Sequence, residues 1–500
     1  MTMGKHISNI LFLMVFLFCS KLTFAQPNTL YFMKGIPQTK DLNPARPGIS
    51  GGFYFSMPLF SKLDLEANSN NWSYNDLIHK GTSNTSLNNT TNNTLNNQYD
   101  QSDSLVIDLD KFREKIGNSN FGFEAAALTV LEAGYKKGKN FYAFSLTERQ
   151  FVEGFFNKTL VDITKLGNYP YVGETFYSGN FGIGAQHYRE FAFNYSHDAT
   201  KKLTLGAAAK ILFGMGAIQT NGMNFKVASP ANGEYLDVSV TGRVNLSVPI
   251  SFNYTPIGDI YSMSSLPDYK LQDYLLNFQN SGIAVDMGFA YMTNKKTELS
   301  MSVIDLGIIG WKSNVTQLTE HGNFFFQGIN INDPTKVKPL LLKPIIDQLH
   351  DSIVATFRPD NSGKSFSTIL PVKVYLGIDY KLNDAISLSG LSRIRIISSK
   401  VHTSLTVSAN TLIANALSLS ASYSIMESTF DNIGLGIGIK AGLFQIYAAA
   451  DNFVSPFYPT MARNMNLRIG INFVFKDTSK SKIKGGESSS KLNPNCNCPY

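Results

Sequence analysis

The chain has 500 residues and a formal net charge of +7, and its side chains are 43% hydrophobic, 12% aromatic and only 16% charged. A positive charge this small and this scattered does not indicate a nucleic-acid-binding protein. Beyond the first 25 residues, no stretch is apolar over the ~20 positions that a membrane helix needs, so the composition also disfavours a helical membrane protein.

The first residues have the layout of a secretory signal peptide. A basic residue is followed by the apolar run 10–18 and then by a short segment that ends at the small residue Ala25. This order is typical of a segment that is removed on export. We therefore predict a signal peptide over 1–25, cleaved between Ala25 and Gln26. The alternative is a lipoprotein signal that uses Cys19, which the bulky Phe18 before it disfavours.

Most of the remaining chain consists of segments in which apolar and polar residues alternate. In the last of them, Leu467, Ile469 and Ile471 share one side, whereas Arg468 and Asn472 share the other. A period of two with an apolar outside and a polar inside is typical of a barrel strand in a membrane. Such strands are predicted at 48–58, 121–135, 140–150, 183–197, 202–214, 281–293, 298–308, 368–381, 385–397, 402–410, 416–426, 432–440, 443–450 and 464–475. The predicted fold is all-β, a transmembrane antiparallel β-barrel of about 14 strands over 48–475.

The connections between these strands favour one topology. An even number of strands places both chain ends in the periplasm, on the side where such barrels keep their short turns. The short turns all fall on that side, and the long inserts 59–120, 151–182, 215–280 and 309–367 fall on the other. The alternation slips at 304–307, which predicts a β-bulge.

The long outer inserts differ in composition. The segment 67–103 is rich in Asn, Ser and Thr and is predicted to be a mobile surface loop. Apolar residues recur at helical spacing in 151–168, 267–279 and 336–357, which predicts short amphipathic helices at the mouth of the barrel. These helices either cap the barrel or form an apolar gate or ligand pocket. The segment 215–250 forms either a hairpin above the membrane or two further strands.

Two short motifs and the final strand carry a family resemblance. The motifs are Met33-Lys34-Gly35-Ile36-Pro37-Gln38 and Leu42-Asn43-Pro44-Ala45. Together with 464–473 they resemble an uncharacterised family of Bacteroidota outer-membrane barrels, a domain of unknown function. That family is similar to the FadL fatty-acid transporters and to the PorV and PorP-like barrels associated with type IX secretion and gliding. The resemblance implies fourteen strands and an N-terminal segment, 26–47, folded into the lumen as a plug. It implies no activity.

The candidate plug motif consists of Pro37, Asn43, Pro44 and Ala45. The Asn43 side chain can bond its own backbone, and Pro44 fixes φ and removes a backbone donor. This pair predicts a turn where the plug meets the first strand. We favour this structural role over contact with a ligand.

The predicted strand registers direct several charged residues into the lumen. Inward placement is expected, because a charge on the lipid face would cost about 2–4 kcal/mol at the midplane. The charges have mixed signs, which favours a mutually paired network over an ion-selective ring. The candidate lumen-facing residues are Lys210, Asp286, Lys373, Asp379, Arg393, Arg395 and Arg468.

The sequence shows no pattern that predicts catalysis, a cofactor or a metal site. Residues 48–52 match G-x-S-x-G around Ser50, but a nucleophile elbow follows a strand and opens a helix, whereas this match precedes a strand. The histidines, including His187 and His197, are dispersed without metal-ligand spacing. We therefore expect no enzyme activity, and a hydrolase at the barrel rim that uses Ser50 and His187 is the last-ranked hypothesis.

The residues 476–500 form a Lys- and Ser-rich end that is predicted to be a disordered periplasmic tail. Cys496 and Cys498 lie in it, and without further cysteines they favour neither a disulfide framework nor a metal site. The basic tail, like the outer loops, is a candidate contact for a protein partner.

Three functional hypotheses follow for a protein of the bacterial outer membrane, where lipid surrounds the barrel. The first is FadL-like passage or binding of a hydrophobic small molecule, which the apolar outer inserts favour. The second is a non-transporting barrel that scaffolds a secretion, motility or surface-attachment complex, like PorV and PorP. The third is the barrel enzyme.

Overall fold

The computed structural model describes residues 28–58, 61–80, 105–166, 172–228, 236–254, 260–266, 270–320, 323–326, 357–360, 364–397, 400–426 and 429–475. Several predictions lie outside these residues. They are the signal peptide with its cleavage site, the tail with its two cysteines, most of the loop 67–103 and all but the last residue of the helix 336–357.

Fourteen antiparallel strands form the wall of a closed barrel in the described part of the chain. They are β1 (Gly52–Ser56 and Lys62–Ser69), β2 (Ser119–Lys137), β3 (Asn140–Asn157), β4 (Gly182–Asp198), β5 (Leu203–Ala228), β6 (Asn280–Met292), β7 (Thr297–Trp311), β8 (Phe366–Ile369 and Val372–Lys381), β9 (Ile386–Ile397), β10 (Lys400–Ile413), β11 (Leu417–Met426), β12 (Thr429–Ala441), β13 (Phe444–Ala450) and β14 (Asn464–Phe475). The predicted strand number and fold class are confirmed.

The barrel closes because β1 pairs on both of its edges. Asp64 of β1 lies opposite Arg468 of β14 on one side and opposite Ala127 of β2 on the other. Every other strand pairs with its neighbour in the chain. Closure leaves no free sheet edge, which is what a β-structure needs in order to satisfy its backbone hydrogen bonds inside a membrane.

The two faces of the wall differ as the alternation predicts. On β11, the serines at 418, 420, 422 and 424 are buried and face the lumen. On β12, the outward residues Ile433, Leu435, Ile437 and Ile439 are 44–53% exposed. An apolar outer band and a polar inner face are the signature of a barrel that lies in lipid.

The start of β1, the end of β14 and the short turns lie at one end of the barrel. Phe53 near the start of β1 pairs with Phe475 at the end of β14, and Gly52 pairs with Lys136 beside the β2–β3 turn. We call this the inner end and the opposite one the outer end. The predicted topology therefore holds in the structure.

Three strand boundaries differ from the prediction. β1 continues as Lys62–Ser69, where an outer insert was expected, because its alternate charged residues face the lumen rather than solvent. Residues 151–157 are strand rather than helix, because β3 pairs with β2 and β4 almost to its end. β5 runs to Ala228 and forms a hairpin with Leu236–Ser247. That partner pairs with outer-loop strands, so 215–250 adds no barrel strand.

The outer connections carry the remaining elements. The short helices are Tyr74–Leu77, Leu109–Lys115, Lys158–Leu166, Leu271–Leu275 and the 3-10 helix Ser455–Phe457. The short strands are Ile78–Lys80, Leu105–Ile107, Thr175–Asn180, Ile250–Tyr254, Ile260–Ser265, Val315–Glu320, Asn323–Phe326 and Phe357–Asp360. Among the residues described, no helix is long and apolar enough to cross a membrane.

The lipid-facing register can be tested on β12. We expect Leu435→Lys to lower the free energy of unfolding in lipid by about 2–4 kcal/mol, because Leu435 faces outward within the apolar band. The same change at Leu443, in the β12–β13 turn, should cost about 0–1 kcal/mol because that position is near the interface. Urea unfolding in vesicles measures both, and equal costs would contradict the assigned depth.

Candidate functional site

The inner half of the lumen is filled by the N-terminal segment 28–47, which we call the plug. It contains two 3-10 helices, Asn28–Phe32 and Pro37–Asp41, and Pro37 occupies the first turn of the second. Its apolar side chains are buried against inward residues of the wall such as Tyr375 and Tyr447. The plug side of this core consists of Leu30, Tyr31, Phe32, Met33, Ile36 and Leu42.

The first turn of the plug is held by Asp451 at the outer end of β13. The backbone amides of Asn28 and Thr29 donate to the two carboxylate oxygens of Asp451, at 2.7 and 2.8 Å. The Asn28 side-chain amide donates to Ser404 and Thr406 on β10. These bonds join the start of the plug to two different strands of the wall.

The end of the plug contains the turn predicted from Asn43 and Pro44. The side-chain oxygen Oδ1 of Asn43 accepts a hydrogen bond from the backbone N–H of Ala45 at 2.9 Å. The side-chain nitrogen Nδ2 of Asn43 donates to the Tyr31 hydroxyl at 2.9 Å. The turn lies against two wall glycines. A Cβ on Gly288 would overlap Asn43, and a Cβ on Gly206 would overlap the backbone of Pro44. The structure thus places this motif against the wall.

Six charged side chains meet where the plug contacts the wall, and we call this group the lower charged cluster. The plug supplies Lys40 and Asp41; the wall supplies Lys62, Asp64, Glu132 and Arg468. Lys40 Nζ lies 2.6 Å from Asp41 and 3.1 Å from Glu132, and Arg468 donates to Asp64 at 2.8 Å. Three positive and three negative groups leave no net charge. Only Arg468 was predicted here. Lys62 and Asp64 were missed because 59–120 was taken for an outer loop, and Glu132 was not among the predicted lumen residues although it lies on the predicted strand 121–135.

A second six-charge group, the upper charged cluster, lies closer to the outer end. Its members are Arg149, Glu190, Lys210, Asp286, Asp305 and Lys373. Lys210 Nζ is 2.7 Å from Asp286 and 2.6 Å from Asp305, and Lys373 Nζ is 2.8 Å from Asp305. Three positive and three negative groups again leave this cluster without a net charge. The structure brings together the predicted residues Lys210, Asp286 and Lys373.

Asp305 enters this cluster through the predicted bulge. The β6–β7 register shifts between Val285 and Met287, opposite Asp305, whose φ is +62°. The Asp305 amide donates to Asp286 at 2.7 Å. The sequence located the bulge but not the direction of its side chain, which depends on this left-handed backbone conformation.

The other predicted lumen residues lie apart from these clusters. Asp379 accepts a hydrogen bond from Ser389. Arg395 pairs with Glu66, donates to Asn68 at 2.8 Å and lies 4.3 Å from the centre of the Phe123 ring. Arg393 is buried nearby on β9. The described lumen therefore holds paired charges of both signs.

An apolar layer lies directly outside the upper charged cluster. Its buried residues are Phe123, Phe151, Tyr188, Leu212, Ala217, Ala284, Ile309, Trp311, Leu370 and Ile397. On four adjacent strands, an apolar residue follows a charged one two positions nearer the outer end, as in the pairs Arg149/Phe151, Glu190/Tyr188, Lys210/Leu212 and Asp286/Ala284. The period of two therefore stacks the apolar layer on the charges.

Trp311 is the largest member of this layer. Its indole N–H donates to Thr368 at 2.8 Å, and its ring fills the space that a side chain at Gly214 would occupy. A cavity of about 40 Å³ lies between the apolar layer and the charges. Phe123, Phe151 and Tyr188 line one part of it, and Arg149, Asp305 and Lys373 line another. The lumen thus offers an apolar surface in contact with a polar one.

The outer helices lie against the barrel and each other. Tyr274, in Leu271–Leu275, has its hydroxyl 2.9 Å from Nδ1 of His187, and the nearby Phe278 packs edge-on to Phe213 at 4.9 Å. Asp162 in Lys158–Leu166 accepts from Arg113 in Leu109–Lys115 at 2.6 Å. The predicted helix 267–279 is the five-residue helix Leu271–Leu275 in the structure.

The two candidate catalytic residues, Ser50 and His187, do not form a catalytic arrangement. Ser50 precedes β1 at the inner end, whereas His187 lies in the outer part of β4, so the structure does not bring them together. In the described ranges, no group of three or more His, Cys, Asp or Glu side chains is placed to hold a metal ion.

The closed wall, the apolar outer band and the filled lumen define an outer-membrane-type β-barrel. The chain belongs to DUF5723, a family of unknown function, which matches residues 47–451. This membership confirms the resemblance to an uncharacterised barrel family.

The chain is also similar to solved barrel structures. The toluene transporter TbuX of Ralstonia pickettii is 11% identical, with a TM-score of 0.39 over 90% of this chain and 98% of that one. A FadL homologue of Pseudomonas aeruginosa is 10% identical, with a TM-score of 0.38 over 90% and 96%. The monoaromatic hydrocarbon channel CymD is 8% identical, with a TM-score of 0.32 over 91% and 99%. A search of curated proteins found no match.

The contact of the plug with the wall glycines gives one prediction. We expect Gly206→Ala to lower the free energy of unfolding by about 1–3 kcal/mol, because the new methyl group would overlap the rigid Asn43–Pro44 turn. Gly154→Ala on β3 is the control, since a Cβ there contacts nothing within 4 Å. Thermal unfolding followed by gel mobility measures both, and equal stability of the two variants would refute this packing.

The upper charged cluster gives another prediction. Lys210→Met should cost about 3–5 kcal/mol, because it leaves two buried carboxylates with one fewer cation. Adding Asp286→Asn restores the charge balance and should recover at least half of that loss. Denaturant unfolding of the single and double variants tests this coupling, and additive losses would show that the two charges act independently.

Proposed function

We propose that this protein resides in the bacterial outer membrane and binds or passes a hydrophobic small molecule through its lumen. The observation that carries the proposal is the apolar layer on the inner face of the outer half of the barrel. Inward residues of a water-filled barrel are polar. A layer with Trp311, Phe151 and Leu212 turned inward suits an apolar ligand instead, because burying such a ligand there removes apolar surface from water.

The charge pattern supports the same function. The two charged clusters are neutral as groups, so they provide no field that would select an ion by its sign. The cavity of about 40 Å³ marks the place where the apolar layer meets the upper charged cluster. A ligand larger than this cavity requires movement of the side chains around it, and passage to the periplasm requires movement of the plug.

The second candidate function is a non-transporting scaffold. The observation that favours it is the anchoring of the plug, which is buried in an apolar core and bonded to Asp451 at its first turn. If the plug never moves, the surfaces left for a function are the outer loops and the predicted periplasmic tail. A protein partner in a secretion or surface complex would then bind there.

Binding of the fluorescent apolar probe N-phenyl-1-naphthylamine tests the first candidate. We expect the double change Leu212→Thr and Ile309→Thr to weaken probe binding by roughly tenfold, because it removes apolar surface from the layer. Leu435→Thr and Ile437→Thr make the matched control on the lipid face of β12. These should leave probe binding unchanged.

Either of two results would favour the scaffold over the binding of an apolar molecule. One is probe binding that is equally insensitive to both double variants. The other is gentle purification with a stoichiometric protein partner and no bound apolar molecule.

A further inference from the structure

Lysines are concentrated on four neighbouring turns at the inner end of the barrel. These turns join β2 to β3, β4 to β5, β6 to β7 and β8 to β9. Their exposed lysines are Lys137, Lys139, Lys201, Lys202, Lys295, Lys296 and Lys381, which we call the lysine arc. The acidic residues on the same turns are the exposed Asp384 and Asp198, which is half-buried and paired with Lys136 at 3.3 Å. The arc is therefore strongly positive.

Backbone hydrogen bonds join these turns into one continuous edge. The amide of Asp198 donates to the Lys139 carbonyl at 2.9 Å, and that of Met292 donates to the Lys202 carbonyl at 2.7 Å. The amide of Lys381 donates to the Lys296 carbonyl at 2.8 Å. The lysines are thus spaced along the rim of β2–β9 by rigid strand ends rather than by loose loops.

The rest of the rim has a different character. The β10–β11 turn consists of Ala414, Asn415 and Ala416, and the β12–β13 turn consists of Gly442 and Leu443. Neither turn contains a charged residue, and the lysine beside them, Lys440 at the second-last position of β12, is half-buried. A rim that was charged only for solubility would not need most of its exposed lysines on one side, so this asymmetry points to a specific anionic partner.

A row of tyrosines places the arc relative to the bilayer. Tyr135, Tyr142, Tyr195, Tyr291 and Tyr380 lie on the same strands, beside the same turns, and their outward rings are 39–42% exposed. Tyrosine rings of membrane barrels lie at the boundary between the acyl chains and the headgroups. The lysines, which come next along these strands, therefore lie at the depth of the inner-leaflet headgroups.

We infer that the lysine arc binds the phosphate groups of anionic phospholipids in the inner leaflet. Ammonium groups at headgroup depth attract anionic lipids. A lipid fits better than an acidic protein, because headgroups already surround residues at this depth. The inference rests on the membrane placement in the proposed function and is independent of the ligand in the lumen.

Native mass spectrometry of lipid retained on the full chain tests this inference. The protein is reconstituted into nanodiscs of phosphatidylcholine with one-tenth phosphatidylglycerol and then partly delipidated. We expect phosphatidylglycerol to be retained roughly fivefold above its share of the bilayer, and the variant with Lys201, Lys202, Lys295 and Lys296 changed to Gln to lose that preference. The control changes Lys115, Lys158, Lys165 and Lys312 to Gln, which removes the same charge from the outer side and should keep it.

Each alternative outcome has a distinct meaning. Insertion into the nanodiscs with equal retention of both lipids would overturn the lysine arc as a lipid site but keep the membrane placement. Loss of preference in both variants would show that only total charge matters, which also overturns it. Failure of the wild type to insert would contradict the membrane placement itself. A stoichiometric acidic protein that displaces lipid from the wild type but not from the arc variant would assign the arc to that protein instead.

Discussion

Buried charge links the plug to the wall. Taking an ion out of water costs several kcal/mol unless a partner and hydrogen bonds compensate it. The lower charged cluster meets this requirement with three groups of each sign, and the plug supplies one of each, Lys40 and Asp41. The wall residues of this cluster, two of each sign, are therefore electrically balanced with the plug or without it. Withdrawal of the plug would break hydrogen bonds, expose an apolar core and separate Arg46 of the plug from its partner Glu298 on β7.

The lumen is ordered in layers along the barrel axis, and each layer limits what the protein can do. The plug closes the inner half, the upper charged cluster lies above it, and the apolar layer lies nearest the outer end. Ions meet neutral clusters and an apolar entrance, which oppose their passage. An apolar molecule meets a favourable surface first and a barrier second. Under the proposed function, this order suits capture of a ligand at the outer end better than free diffusion through the barrel.

Period-two alternation predicted nearly the whole wall, since lipid on one face and a packed lumen on the other leave each strand a single workable register. The alternation did not lead to a strand prediction for Lys62–Ser69. The charged residues Lys62, Asp64 and Glu66 are typical of a solvated loop, although they alternate with Leu63 and Leu65 as they would in a strand. The inward direction of Lys210 and Asp286 follows from their strands. The direction of their partner Asp305 does not follow from its strand, because the left-handed backbone conformation of Asp305 itself sets that direction. The glycine contacts of the Asn43 turn depend on strands far away in the chain, so local patterns could not predict them.

The contact between Asn28 and Asp451 joins residues 423 positions apart in the chain. Asp64 and Arg468 likewise meet across the first and last strands, where the barrel closes. Folding rates fall as contacts become more distant in sequence. The first described residues of this protein therefore stay without their partners until almost the entire polypeptide has been made. Plug docking and ring closure become one late event, and until then the chain carries unpaired strand edges that depend on protection from aggregation.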